Sequence, residues 1–310
     1  MWNWPPLRAL DAHGRGKSIV LILRRGAVRL ALATVLLFLA ACSSTTFVYN
    51  RMDFLVPWYV NDYTDLNGEQ EDYLDDLLAP FLAWHRSQEL PRYIELIAQI
   101  EASLDAPASA ASVEEIASQL EQAWLRLEGE SLDWLLDLGT QLDDVQVEAF
   151  LNELWQQQRE FEEKYLERSE QEFYADSAEN MADTAEDFFG RLSKDQNTII
   201  KTGTAKLQRS DAAWLREREA WLNKLGVILK RQPGWQQQLR AAVAARPETV
   251  SAEYRQAYEH NAQVLYATLA ALLNSRNAKQ DRHLRSELAE LRIDLEALVA
   301  QGRRSHQDGG

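Results

Sequence analysis

The stretch LRSELAELRIDLEAL, Leu284–Leu298, decides the fold class of this chain. Its leucines recur at alternating spacings of four and three residues, at Leu284, Leu288, Leu291, Leu295 and Leu298. That period puts all of them on one side of an α-helix and predicts an apolar seam packed against other helices. A similar stripe runs through Trp214, Trp221, Leu225 and Ile228. We interpret both stripes as core.

The rest of the chain has the same character. Glycine and proline are sparse, with 13 and 8 in 310 residues, and alternating valine-rich runs are absent. We therefore predict an all-α fold, an elongated multi-helix bundle of long amphipathic helices with no sheet. The helical domain is expected over residues 47–301, with a sub-boundary near 105–112 or 190–193, and a disordered polar tail over 302–310. Lys194 to Gln232 is expected to be one long helix, and Pro57 to interrupt a short one.

The first 42 residues have a different organisation. A flank with six basic side chains and one acidic side chain precedes an apolar run from Leu30 to Ala41. That run is about 12 residues long, shorter than the roughly 20 that a membrane-spanning helix needs. Small residues then lead to Cys42, the single cysteine of the chain. This order of parts predicts a signal peptide over residues 1–41.

The tetrapeptide Leu39-Ala40-Ala41-Cys42 resembles the lipobox of bacterial lipoproteins. The resemblance implies cleavage before Cys42, a diacylglycerol on its sulfur, and an N-acyl chain such as palmitate on the new amino group. Two or more acyl chains hold a protein firmly on a membrane. Residues 42–46 are then the lipidated tether. Ser43, in place of an aspartate, favours the periplasmic face of the outer membrane.

One five-residue motif occurs three times, each time where a helix is expected to begin. It consists of a leucine, a capping residue, two further residues and a glutamine, and it spans 66–70, 142–146 and 192–196. This is the pattern of a capping box, in which the cap oxygen and the glutamine satisfy each other's backbone N–H groups. Each cap stabilises its helix by about 1 kcal/mol. The motif resembles the Leu-Thr-x-x-Gln motif of the Spy/CpxP group of periplasmic ATP-independent chaperones.

A second resemblance covers more of the chain. The segments that carry it are Tyr49–Asp53, Trp58-Tyr59, Asp62–Leu66, Trp84–Arg86 and Glu89–Tyr93. Together with the lipobox they are similar to the DUF6279 family of proteobacterial lipoproteins. The resemblance implies a lipoprotein of helical build and no particular activity.

The sequence offers little for catalysis or metal binding. It contains no His-Glu-x-x-His, no glutamate three residues before a histidine, and no Gly-x-Ser-x-Gly. The thiol of Cys42 is expected to be consumed by lipid. We therefore expect no enzyme, no catalytic residue, no metal, and no cofactor besides the lipid on Cys42.

His85 has two interpretations. In the first, it is a core histidine satisfied by a nearby carboxylate. In the second, it belongs to a partner-binding groove together with Tyr59 and Tyr93, because all three lie in or next to an aromatic-rich segment.

Charge is unevenly distributed along the chain. Residues 42–190 hold 34 acidic and 7 basic side chains, and residues 191–310 hold 13 and 20. A nucleic-acid partner requires a basic face and is therefore not expected. We favour the interpretation that the basic C-terminal helices pack against the acidic ones. The alternative is an acidic face for a basic partner.

The function expected from these observations is an envelope lipoprotein with a non-catalytic, partner-binding or structural role. Its partners are the membrane, through the anchor, and envelope proteins. One alternative is an ATP-independent periplasmic holdase, and another is an enzyme of the cell envelope.

Overall fold

The structure, a computed structural model, describes residues 44–308. This part of the chain is helical, with no strand in it, so the predicted all-α class is confirmed. The predicted signal peptide and Cys42 lie outside the described residues. Within them, no helix combines the length and apolar character that crossing a bilayer requires.

The helices are numbered in chain order. The first are α1 (Ser44–Tyr49), α2 (Met52–Asn61), α3 (Gly68–Trp84), α4 (Leu90–Ser103), α5 (Ala110–Gln141) and α6 (Asp144–Leu166). They are followed by α7 (Glu170–Phe189), α8 (Lys194–Thr204), α9 (Asp211–Ile228), α10 (Trp235–Ala244), α11 (Arg246–Thr249), α12 (Ala252–Asn274) and α13 (Ala278–Asp308). A π-helical turn, His85–Glu89, joins α3 to α4.

The larger core is built around α13, which packs against α4 and α7. Leu284, Leu288, Leu295 and Leu298 of the predicted seam are buried in it, whereas Leu291 is 36% exposed. Burying one leucine side chain stabilises the fold by about 2 kcal/mol. The seam is therefore confirmed at every position but one, and helices on either side of both candidate boundaries, 105–112 and 190–193, share this core.

A smaller core lies between α2, α3 and α5. It is formed by Leu74 and Leu78 of α3 with Leu138 of α5, and all three are almost fully buried. Val56 and Val60 of α2 pack against it from outside. This core fixes the N-terminal helices α2 and α3 against the long helix α5.

The ends of the fold differ from the sequence prediction. α1 begins at Ser44, inside the predicted tether of residues 42–46. α13 continues to Asp308, so the described part of the tail that was expected to be disordered from Gly302 is helical. Gly302 packs against Arg86, whose side chain would overlap a Cβ at this position. Polar composition alone does not reveal such a contact.

The helix predicted over Lys194–Gln232 is broken. α8 ends at Thr204 and α9 begins at Asp211. Gly203 allows α8 to approach α12 closely, because a Cβ there would overlap the side chain of Thr268. Pro57, expected to interrupt a helix, lies within α2.

The three predicted capping boxes all form. Asn67, Asp143 and Ser193 each accept a hydrogen bond from the backbone N–H of the glutamine three residues later. In return, each glutamine side chain accepts the backbone N–H of its capping residue. The motif therefore marks the first turns of α3, α6 and α8, as predicted.

The same glutamines also join helices in pairs, which the sequence did not predict. Gln70 and Gln146 exchange amide hydrogen bonds of 2.8 and 2.7 Å. Gln196 and Gln280 do the same at 3.0 and 2.9 Å. Gln280 belongs to a further capping box, with Asn277 as its cap, at the start of α13. The pairs therefore connect α3 to α6 and α8 to α13.

Each pair also binds backbone carbonyl groups in the same way. Gln70 donates to the carbonyl of Gln141, Gln146 to that of Asp65, and Gln280 to that of Arg191. In every case the carbonyl lies two residues before the partner helix's cap. One local arrangement is thus used at two places in the fold.

The halves of opposite charge pack together, which confirms the favoured interpretation. Ion pairs between them include Arg231–Asp144, Arg240–Asp133, Arg285–Asp105 and Arg292–Glu101. Exposed ion pairs contribute about 0–1 kcal/mol each. They therefore orient the helices more than they stabilise them.

We predict that Gln196→Ala lowers the free energy of unfolding by about 2–4 kcal/mol, because it removes the glutamine half of a capping box and leaves the buried amide of Gln280 without its partner. Chemical denaturation measures the change. The matched control is Ser109→Ala, which removes the exposed cap of α5 and should cost about 1 kcal/mol. Gln196→Ala with Gln280→Ala should cost less than the two single changes added together. Equal losses for Gln196→Ala and Ser109→Ala would contradict the pairing.

Candidate functional site

A cluster of polar and aromatic side chains surrounds the π-helical turn. His85, half-buried at its start, has its Nδ1 atom 2.9 Å from the hydroxyl of Tyr49 on α1, with a hydrogen bond between them. The two rings are stacked, with centroids 5.6 Å apart. Tyr93 on α4 meets His85 edge to face, also at 5.6 Å, and the rings of Phe81 and Trp84 lie beyond it. The turn thus brings three helices together around one imidazole.

Arg86 closes the outer side of this cluster. Its guanidinium lies over the ring of Tyr49, 5.1 Å from the centroid. It donates a hydrogen bond of 3.1 Å to the side chain of Asn50. Asn50 in turn donates to Gln301 on α13 at 3.1 Å. These contacts attach α1 and the residue after it to the π-helical turn and to the end of α13.

Glu89, the last residue of the π-helical turn, is fully buried. Arg126 on α5 binds it through two nitrogen atoms, with Nε 2.9 Å from Oε1 and Nη2 2.9 Å from Oε2. Arg92 adds a contact of 2.8 Å to Oε1. Such an ion pair contributes little net stability, but losing one partner costs about 3–5 kcal/mol because a charge is left buried. Glu89 therefore holds α4 to α5.

Two ionisable groups of the turn, His85 and Glu89, have shifted pKa values. Burial lowers the pKa of His85, and Arg86 lowers it further, although the charge of Glu89 opposes this. Burial alone would raise the pKa of Glu89, but hydrogen bonds and charge from Arg126, with the charges of Arg92 and His85, outweigh it and lower the pKa. At neutral pH the turn therefore carries a neutral imidazole and an ionised carboxylate.

The structure separates the residues proposed for a partner-binding groove. His85 and Tyr93 do meet, but Tyr59 lies elsewhere, where its hydroxyl is 2.9 Å from that of Tyr63. The partner of His85 is Tyr49, which the sequence did not indicate because the two residues are 36 positions apart. The nearby carboxylate is that of Glu89, but its oxygens accept hydrogen bonds from Arg92 and Arg126 and none from His85. Both interpretations of His85 are thus corrected in part.

No group of histidine, cysteine or acidic side chains within residues 44–308 is arranged to hold a metal ion. The arrangement of Glu89 explains why this carboxylate does not serve as a ligand. Both of its oxygens already accept hydrogen bonds from arginine side chains. Chemically, the cluster can join helices and respond to protons.

A second feature is an open apolar strip where α5 and α12 pack together. The helices are antiparallel and close at one end, where Ala108 and Asn274 exchange two hydrogen bonds of 2.8 Å. Val113 on α5 and Leu272 on α12 are buried at that end. Leu120 and Leu265 lie seven residues from these two along their helices, and Leu269 lies three residues from Leu272; all three are exposed. We call Leu120, Leu265 and Leu269 the α5–α12 strip; they are 55%, 41% and 37% exposed.

Acidic and aromatic side chains border the α5–α12 strip. Burial, followed by the charges of Glu114 and Glu121, raises the pKa of Tyr266 on α12. Burial and Glu121 act in the same direction on Tyr258. The carboxylates of α5 therefore face the tyrosines of α12 beside the exposed leucines. The strip has an apolar centre and an acidic rim.

Comparison with known proteins gives one match. The model of the DUF6279 family, described as a family of unknown function, matches residues 62–255. No curated protein and no solved structure matches the chain. The matched range includes the π-helical turn, Glu89 with Arg126, and the leucine of α5 in the strip.

We predict that His85 makes stability depend on pH. The unfolded chain binds a proton at the ordinary histidine pKa of 6.5, whereas the folded protein binds it only at lower pH. Stability is therefore complete above the unfolded value and is lost as the pH falls from 6.5 toward the lowered folded value. In His85→Gln this loss disappears.

Urea denaturation at pH 7.5 and at pH 5.5 measures the effect. Wild type should lose more stability between the two conditions than His85→Gln does. The control is His260→Gln, on an exposed position of α12, which should behave as wild type. The same pH dependence in wild type and in His85→Gln would contradict this role.

Proposed function

We propose, on the premise that the chain belongs to the DUF6279 family, that it is an envelope lipoprotein whose helical body binds a protein partner and catalyses no reaction. The anchor is the lipid expected on Cys42, and Ser43 favours the periplasmic face of the outer membrane. The body then stands in the periplasm, where its partners are other envelope proteins.

The observation that carries this proposal is the α5–α12 strip. Leu120 and Leu265 occupy positions on the packing sides of their helices, seven residues from buried residues of the same stripes. A single exposed leucine is ordinary on a protein surface. Exposed leucines at core positions of two adjacent helices form an apolar centre with a polar rim, which is the anatomy of a protein interface.

The acidic rim indicates the chemistry of the partner. Glu114 and Glu121 both act on the pKa of Tyr266 and therefore lie beside the strip. Complementary charge speeds association and excludes like-charged partners. The partner we expect therefore presents an apolar helix or loop flanked by lysine and arginine.

The buried polar cluster supports a non-catalytic role by the way its groups are used. Glu89 is neutralised by Arg126 and Arg92, and the Nδ1 atom of His85 is engaged by Tyr49. Each of these bonds joins two different elements of the fold or braces the turn. A structural role, holding these elements together, is therefore sufficient to account for the cluster.

A holdase-like chaperone is the second candidate. The repeated capping motif resembles that of the Spy/CpxP group, and the strip offers an apolar surface with an acidic rim of the kind that could hold unfolded clients. The two candidates differ in selectivity, since a partner binds as one defined species and clients bind as many.

Photo-crosslinking in living cells tests the proposal. A crosslinking amino acid at Leu120 or Leu265 should yield one discrete adduct, because both positions lie on the strip. Val145 and Val227 are matched controls, because they are apolar and even more exposed, at 75% and 66%, but lie on α6 and α9. The same adduct pattern at all four positions would overturn the assignment of the strip.

Heat or acid stress separates the two candidates. A holdase should give many adducts that increase under stress, and the purified protein should suppress aggregation of an unfolded client near equimolar ratio. Leu120→Glu with Leu265→Glu should then remove most of that suppression, whereas Val145→Glu with Val227→Glu should not. A single adduct, insensitive to stress, favours the partner-binding function.

A further inference from the structure

α2 has two different sides. Val56 and Val60 pack against the smaller core. Phe54 and Trp58, which helical spacing places on the opposite side, are 66% and 58% exposed. None of the residues of α2 is buried. The helix therefore rests on the fold through one side and presents two large aromatic rings on the other.

α1, which lies between α2 and Cys42 in the sequence, carries further exposed apolar side chains. Phe47 is 49% and Val48 is 50% exposed. Phe47 follows Cys42 by five residues, and five residues span at most about 17 Å even when fully extended. Because α1 begins at Ser44, the actual separation is shorter. The aromatic surface thus starts close to the point where the proposed lipid anchor enters a bilayer.

Charge sets this end of the protein apart. Residues 44–61 contain only two charged side chains, Arg51 and Asp53, which cancel, whereas the rest of the N-terminal half is strongly acidic. The end of α13 adds positive charge here. Asn50 is hydrogen-bonded to Gln301, and Arg303 and Arg304 follow it with exposed side chains.

We propose that this N-terminal face, formed by Phe47, Phe54 and Trp58 with Arg303 and Arg304 at its edge, docks on the lipid bilayer surface. The inference rests on the proposed anchor at Cys42. Aromatic rings, tryptophan above all, favour the interface between headgroups and acyl chains. Arginine is attracted to anionic headgroups within about one Debye length.

Docking of this face fixes the orientation of the helical domain relative to the membrane. An acidic protein is repelled from an anionic bilayer over most of its surface. The neutral and basic end is the part that can approach, and the anchor leaves from that end. The lipid holds the protein to the membrane, and the docked face orients it there.

Depth-dependent fluorescence quenching tests the proposal. Because the thiol of Cys42 is expected to carry lipid, a second cysteine can be labelled alone with the polarity-sensitive dye NBD. The variants are Phe54→Cys and Trp58→Cys, with Val227→Cys, which replaces a side chain as exposed as Phe54, as the control. The full protein is purified from membranes and reconstituted in vesicles of phosphatidylethanolamine and phosphatidylglycerol that contain doxyl-labelled lipid.

We expect NBD at positions 54 and 58 to be quenched several-fold more than NBD at 227. Arg303→Glu with Arg304→Glu should weaken that quenching on anionic vesicles. Equal quenching at all three positions would overturn the membrane face. The membrane face would also be overturned if NBD at positions 54 and 58 were already shielded from water in the absence of vesicles, because a second protein chain would then cover the face.

The anchor is measured separately. Mass spectrometry of the N-terminal peptide of the same preparation shows whether Cys42 carries lipid. An unlipidated cysteine would overturn the proposed anchor and the docked face with it. A lipidated protein without selective quenching at 54 and 58 would overturn the docked face alone and leave the anchor standing.

Discussion

The fold depends on two places where the first turns of two helices meet through a pair of glutamines. A helix start leaves backbone N–H groups without partners, and the capping boxes satisfy them. Here the glutamine that completes the capping box of one helix also forms hydrogen bonds with the glutamine of another capping box. Gln196 and Gln280 are 1% and 4% exposed, so water cannot replace a lost partner. Apolar stripes can pack at several offsets along the helix axes. These directional bonds select one offset between the paired helices.

The remaining polar groups of the interior act in a similar way. Glu89 joins the π-helical turn to α5 through Arg126, and His85 joins it to α1 through Tyr49. The apolar cores supply most of the stabilisation, while these bonds decide which helices are neighbours. What they leave uncovered is where function is proposed: the α5–α12 strip on one side and the aromatic face beside the expected anchor on the other.

Local chemistry made part of this fold predictable. A capping box spans four residues, so three of them could be recognised from spacing, and so could the leucine seam of α13. The box at the start of α13 was missed because Arg276 precedes its cap instead of leucine. The boxes of α5 and α7 were missed because Ser112 and Glu172 take the place of the glutamine. Long-range partners could not be predicted, since nothing near His85 in sequence points to Tyr49. The exposure of individual leucines could not be predicted from the sequence either. Leu120 and Leu291 fit their apolar stripes, and only the packed structure shows that they stay partly exposed.

The π-helical turn changes the helical phase between α3 and α4, which it joins without a break. Leu78 faces the smaller core and Leu90 the larger one, and twelve residues of plain α-helix would set them about 120° apart. An i→i+5 turn accommodates one surplus residue, which brings the two leucines back to nearly the same side after about three turns. A helix one residue shorter would align them without any widening. The wider turn also sets Glu89 inward against Arg126 while His85 meets Tyr49.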